Sequence, residues 1–92
     1  MSEVTDLYEE AIAGLEALSA DFKTSDAARD EANARITALR QKTQDASLED
    51  IAGRTDQLKA LASDLTAVLQ KTEAGGSSLQ AVANKIQKAI TG

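Results

Sequence analysis

A ladder of mostly apolar positions runs through the first half of the chain at alternating spacings of four and three. It passes through Val4, Tyr8, Ala11, Leu15, Leu18, Phe22, Ser25, Arg29, Ala32, Ile36, Leu39 and Thr43. That alternation holds one seam on a single side of a helix. Leu7 and Ile12 widen the apolar face at its start. Large side chains then vanish between Phe22 and Ile36, and Lys23, Thr24, Ser25 and Asp26 have the character of a loop, with Ser25 or Asp26 as a fresh helix cap. Register speaks against a break. Ile36 stands two heptads after Phe22, and Leu39 three heptads after Leu18. A continuous helix keeps that phase automatically, whereas a loop has no reason to. The pattern therefore predicts one long helix over about 3–44, roughly 60 Å at 1.5 Å per residue. Two helices meeting near residue 24 are the alternative.

Phase slips between Gln44 and Ser47, where Ser47 and Asp50 form a capping-box-like pair. A second ladder follows through Leu48, Ile51, Thr55, Leu58, Ala62, Leu65, Leu69 and Thr72, widened by Leu61 and Val68. It predicts a helix over about 48–73, antiparallel to the first because the linker is short. Gly75-Gly76 is a stop signal, a hinge or cap with Ser77 or Ser78 opening the next helix. Leu79, Val82, Ala83, Ile86 and Ile90 then predict a short amphipathic helix over about 78–91. The fold class is all-α, a single helical domain over 1–92: a coiled-coil hairpin or small helical bundle of three helices.

Composition supports helix and thins the core. The apolar residues are dominated by 18 Ala and 10 Leu, with no Pro. Ninety-two residues give a small core. Helix two reaches only the C-terminal part of helix one, which leaves the large residues from Val4 to Leu18 to be covered by helix three extending past the glycines; if helix three instead folds back on the hairpin, the N-terminal half of helix one projects and pairs with another chain. The predicted interaction surface is accordingly Val4, Leu7, Tyr8, Ala11, Ile12, Leu15, Leu18, Phe22 and Arg29, with self-association expected. Arg29 is a polar residue on the seam, the kind that fixes register or snorkels over a small neighbour. Tyr8 should be core, with its hydroxyl at the edge.

Charge sharpens this. The net charge is −5, and residues 1–22 hold six acids and no base, whereas Lys85 and Lys88 are the charges beyond residue 75. Helix three extending past the glycines would bring those lysines beside the acidic segment. An acidic chain without clustered Lys and Arg is not expected to bind nucleic acid directly.

Chemistry is sparse. With neither Cys nor His, thiolate nucleophiles, the commonest general base and the commonest transition-metal ligand are missing, and any chemistry would have to come from Ser, Thr and carboxylates. The pairs Glu9-Glu10, Asp30-Glu31 and Glu49-Asp50 fall at outward positions and read as a solvated face rather than a metal site. Gly53 sits mid-helix in the predicted second helix, tolerated at some cost. No catalytic, metal or cofactor site is predicted. No apolar run approaches the roughly 20 residues of a membrane span, and no secretory signal is visible, so a cytoplasmic protein is expected, with signal-less secretion or a virus particle as alternatives.

Size and acidity are similar to those of type VII secretion substrates, which are small helical hairpins, but the W-x-G turn that marks them is missing. Type III needle subunits share a hairpin but have a proline-bearing turn that this chain lacks. The functional expectation is a non-enzymatic protein-interaction or assembly component working by coiled-coil-type packing. A small acidic inhibitor that mimics nucleic acid, or a secreted or virion hairpin component, are the alternatives.

Overall fold

The computed structural model describes residues 3–44, 53–72 and 76–91. Its regular structure is helical throughout: α1 (Glu3–Ala20), α2 (Asp26–Thr43), α3 (Arg54–Lys71) and α4 (Ser77–Thr91). The predicted long helix is therefore two helices, and the described residues form four helices rather than three. The polar stretch at 21–25 decides the matter. Asp21 Oδ1 accepts the Lys23 N–H at 2.9 Å, the Thr24 hydroxyl donates to the Leu18 carbonyl at 2.6 Å, and Ser25 Oγ accepts the Ala28 N–H at 3.3 Å. Three short polar side chains thus offer the backbone partners that compete with the helical ladder, and Ser25 becomes the N-cap of α2. Tertiary burial favours the break, because a straight helix leaves α1 half covered.

Folding back at this turn lays α2 antiparallel on α1, with Ser19 bonded to Asn33 at 2.8 Å and Arg40 to Glu16 at 2.9 Å. Antiparallel α2 and α3 meet through Arg35 and Asp64, 2.9 Å apart. The α4 helix folds back on α3 and also lies along α1, where Lys85 reaches Glu10 at 2.8 Å. The result is an up-down-up-down four-helix bundle of 38 × 25 × 18 Å, with α1 touching all three other helices. The predicted third helix, now α4, does cover the acidic segment, but by folding back beside α3 rather than by extending past it.

Each helix faces the common core with its apolar stripe. Leu15, Leu58, Leu61, Leu65, Val68 and Ile86 are wholly buried. On α3 the flanking Leu61 and Val68 are buried while ladder positions Leu69 and Thr55 are half-buried and exposed, because a bundle helix must face two neighbours. Gly14, which stands outside every ladder, lies where α4 packs closely on α1. A β-carbon there would stand 3.3 Å from Leu79 Cδ1 and 3.6 Å from Leu79 Cα. Gly53 lies at the N-cap of α3 and not mid-helix, so the cost assigned to it does not arise. Gly76 occupies the position before α4, its carbonyl accepting the Gln80 N–H at 2.9 Å. Gly75 and the Ser47–Asp50 capping pair lie outside the described residues, as do Leu48 and Ile51.

Candidate interaction surface

The predicted interaction surface divides sharply. Val4, Leu7, Tyr8, Ala11, Ile12, Leu15 and Leu18 are all buried in the chain's own core, no more than 8% exposed. In the single chain, α2, α3 and α4 supply the cover that the sequence left to be found. The Tyr8 hydroxyl donates to the Gln57 carbonyl at 3.3 Å across to α3. Burial first, and the negative charge of Asp64 second, raise its pKa above the ordinary tyrosine value.

Phe22 and Arg29 part from these seven. Phe22 is 87% exposed at the crest of the α1–α2 turn, the one exposed large apolar side chain among the described residues. Lys23 Nζ sits 5.8 Å from its ring centroid, within cation–π range. Arg29 is not on the seam, where Ala28 takes the buried place. Its guanidinium instead fastens the turn: Nε donates to the Ser19 carbonyl at 3.0 Å, and Nη2 donates to the carbonyls of Asp21 at 3.2 Å and Thr24 at 3.1 Å. Nη1 pairs with Asp26 at 3.2 Å. The last carbonyls of a helix have no partner within it, and a cation suits that end of the dipole. One side chain thus closes the C-terminus of α1, and buried Thr24 anchors the same turn from below. Phe22 is therefore presented on a braced loop. The sequence signal for this lies in the short polar side chains of Asp21, Thr24 and Ser25, against which the heptad phase argues for a continuous helix.

Charges form belts between helices. Glu31 bonds Arg35 at 3.0 Å on its own helix and lies 3.8 Å from Lys71 of α3, while Arg35 also holds Asp64. The Arg35 hydrogen bond, helped by the Lys71 charge, lowers the Glu31 pKa below the usual glutamate value. The same bond raises that of Arg35. On α1, Glu10 and Glu16 are matched by Lys85 and Arg40. Solvent screens pairs of this kind and each contributes little, so they orient helices more than they hold them.

Two of the open clefts among the described residues bear on function. One of about 510 Å³ lies between α1 and α4, lined by Asp6, Leu7, Glu10, Arg54, Lys85, Lys88 and Ala89. Its opposed charges are partly used already, by the Glu10–Lys85 pair and by Arg54, which donates to the Ala89 carbonyl at 3.4 Å. The other, about 430 Å³, follows the outer α3–α4 groove past Ser63, Thr66, Gln70 and Gln87. Among the described residues, no group of acids is placed to hold a metal ion. No described helix is long and apolar enough to cross a membrane.

Comparison with protein-family models, with curated proteins and with solved structures finds no match to this chain.

Proposed function

We propose that the chain is a non-enzymatic helical interaction or assembly module, which engages a protein partner at the α1–α2 end of the bundle with Phe22 as the anchor. The observation that carries this is the 87% exposure of Phe22 on a turn fastened by Arg29 and Thr24. Exposing an aromatic ring gains the monomer nothing, and a preorganised aromatic loses little entropy on entering a pocket. Such residues dominate binding energy where they occur at interfaces. The acidic-inhibitor reading has less to stand on, because Glu10 and Glu16 are already matched within the chain. Asp6 and Glu9 on α1 remain its best support.

A photo-crosslinking phenylalanine analogue placed at position 22 tests the proposal in the cells that make the protein. It should capture a protein that the same analogue at exposed Ala60 does not. For the captured partner, Phe22→Ala should weaken binding by roughly 30-fold, as expected of a hot spot worth about 2 kcal/mol. Binding should depend little on salt. A steep salt dependence with loss on Glu9→Gln, and no effect of Phe22→Ala, would favour the acidic inhibitor instead. Leu15 and Leu18 are unsuitable test positions, since both are core residues.

A further inference from the structure

The 21–25 turn also bears on how two copies of this chain meet. Heptad phase runs through it unbroken, with Phe22 one heptad after Leu15 and two before Ile36. The closed bundle makes no use of that phase, because α1 and α2 are separate antiparallel helices. Phase across the turn matters only where α1 and α2 also run as one helix. On such a helix Phe22, left in solvent by the closed turn, falls on the seam of Leu15 and Leu18.

We propose that two copies exchange α1: the 21–25 turn straightens, and α1 of each copy takes on the other the place it holds on its own chain. This rests on the interaction-module reading and deepens it by naming the partner as a second copy. The turn is built to allow it. Residues 21–25 contain no Gly or Pro. Ser25 has φ −64°, already helical, and its ψ of 156° has to rotate to about −42° for the helix to run through. The acceptors also carry over. In a straight helix the Leu18, Ser19 and Asp21 carbonyls receive the backbone N–H groups of Phe22, Lys23 and Ser25. In the closed turn the same three carbonyls are held by Thr24 and Arg29. The exchange therefore replaces these side-chain bonds, together with the turn's own bonds from the Asp21 N–H to Leu18 and from the Thr24 N–H to Asp21, by the helical backbone ladder, and it repeats the Lys85–Glu10 and Arg40–Glu16 pairs between chains. A short hinge favours such exchange. What is new in the dimer lies at its two-fold axis, where the two straightened segments run antiparallel with their hinges side by side. There each Phe22 gains cover from the other copy.

Ser19 and Asn33, joined across α1 and α2 at 2.8 Å, give the test, because the chain has no other cysteine to confuse it. S19C/N33C is made with the natural hinge, with Arg29→Ala and with Phe22→Asp. Each protein is concentrated to the high micromolar range, separated by size, oxidised and run on a non-reducing denaturing gel. Exchange places the disulfide between chains in the dimer fraction and within the chain in the monomer fraction. Arg29 holds the Ser19, Asp21 and Thr24 carbonyls only in the closed turn, so Arg29→Ala should raise the dimer-to-monomer ratio by roughly fivefold, about the factor of one net hydrogen bond. Phe22→Asp should lower it while leaving the monomer's unfolding midpoint unchanged. No dimer from either the natural hinge or Arg29→Ala overturns the proposal, as does a dimer whose disulfides all lie within chains. Should Arg29→Ala fail to fold, the natural hinge alone decides between exchange and its absence. Because only purified chain is used, a negative result leaves a different protein docking on Phe22 intact.

Discussion

The two halves of the ladder, α1 and α2, share a register and a length of 18 residues, yet they fill the core differently. α1 buries Leu7, Tyr8, Ile12, Leu15 and Leu18 among its seven core residues, and it touches every other helix. α2 buries Ala28, Ala32, Ile36 and Leu39, with its two alanines at the turn end. A helix with large side chains serves as the bundle's central wedge. Its neighbour offers small residues where the two backbones come together, and contributes the charged groups that locate it: Arg29, Arg35 and Arg40. Equal periodicity therefore hides unequal work. Volume on the seam distinguishes a wedge from a cover.

Five expectations probe that difference. The largest effect belongs to the wedge: Leu15→Ala should cost about 3 kcal/mol, since nothing nearby can collapse into the space without loss. Urea unfolding followed by circular dichroism measures it. The same protocol applied to Ala32→Leu should show about 2 kcal/mol of loss, from overpacking a close approach rather than emptying it. A stabilising Ala32→Leu would mean that the cover is loose and the contrast unfounded.

Arg29→Lys comes next. A lysine keeps the charge but cannot fork to three carbonyls, so a loss of about 1 kcal/mol is expected. An unchanged midpoint would show that the charge alone closes α1. The belt between α2 and α3 gives a smaller, pH-dependent effect. Glu31 has its pKa lowered in the fold, so its stabilisation is present above the ordinary glutamate range and is lost as pH falls through the lowered value. Glu31→Gln should thus be less stable than the natural chain at neutral pH, with the gap closing in acid. Urea midpoints at a series of pH values test this, and a gap that widens in acid would reverse the sign. Phe22→Ala should do least, shifting stability by no more than about 0.5 kcal/mol. A larger loss would place Phe22 in the core of the monomer.

Much of this architecture was legible residue by residue. The buried faces of α1 and α4 are those that periodicity marked, including Tyr8 at the edge of the core and Lys85 beside the acidic segment. The Glu31–Arg35 pair stands where i,i+4 spacing puts it. The break at 21–25 was visible only as a competing option. Side-chain bonds from Asp21, Thr24 and Ser25 are local and weak beside the apparent force of an unbroken phase, and neither Gly nor Pro announces the turn. Arg29 was placed on the seam because the ladder ran through it. Once the turn exists, the α2 stripe restarts on Ala28, and the guanidinium faces the carbonyls of α1. Gly14 carried no signal at all, since a small residue beside a stripe has meaning only when a second helix rests on it.

By itself, then, the sequence determined that the chain is helical and which face of each helix seeks cover. These follow from propensity and from the period of a single helix, both properties of local chain. Tertiary structure decided where the first helix ends, which helices cover the Val4–Leu18 face, and that Phe22 is left in solvent. Those outcomes depend on which distant stripe fills the space beside another. A heptad period states that a partner is required, without stating whether it arrives from the same helix turned back, from α4, or from a second copy.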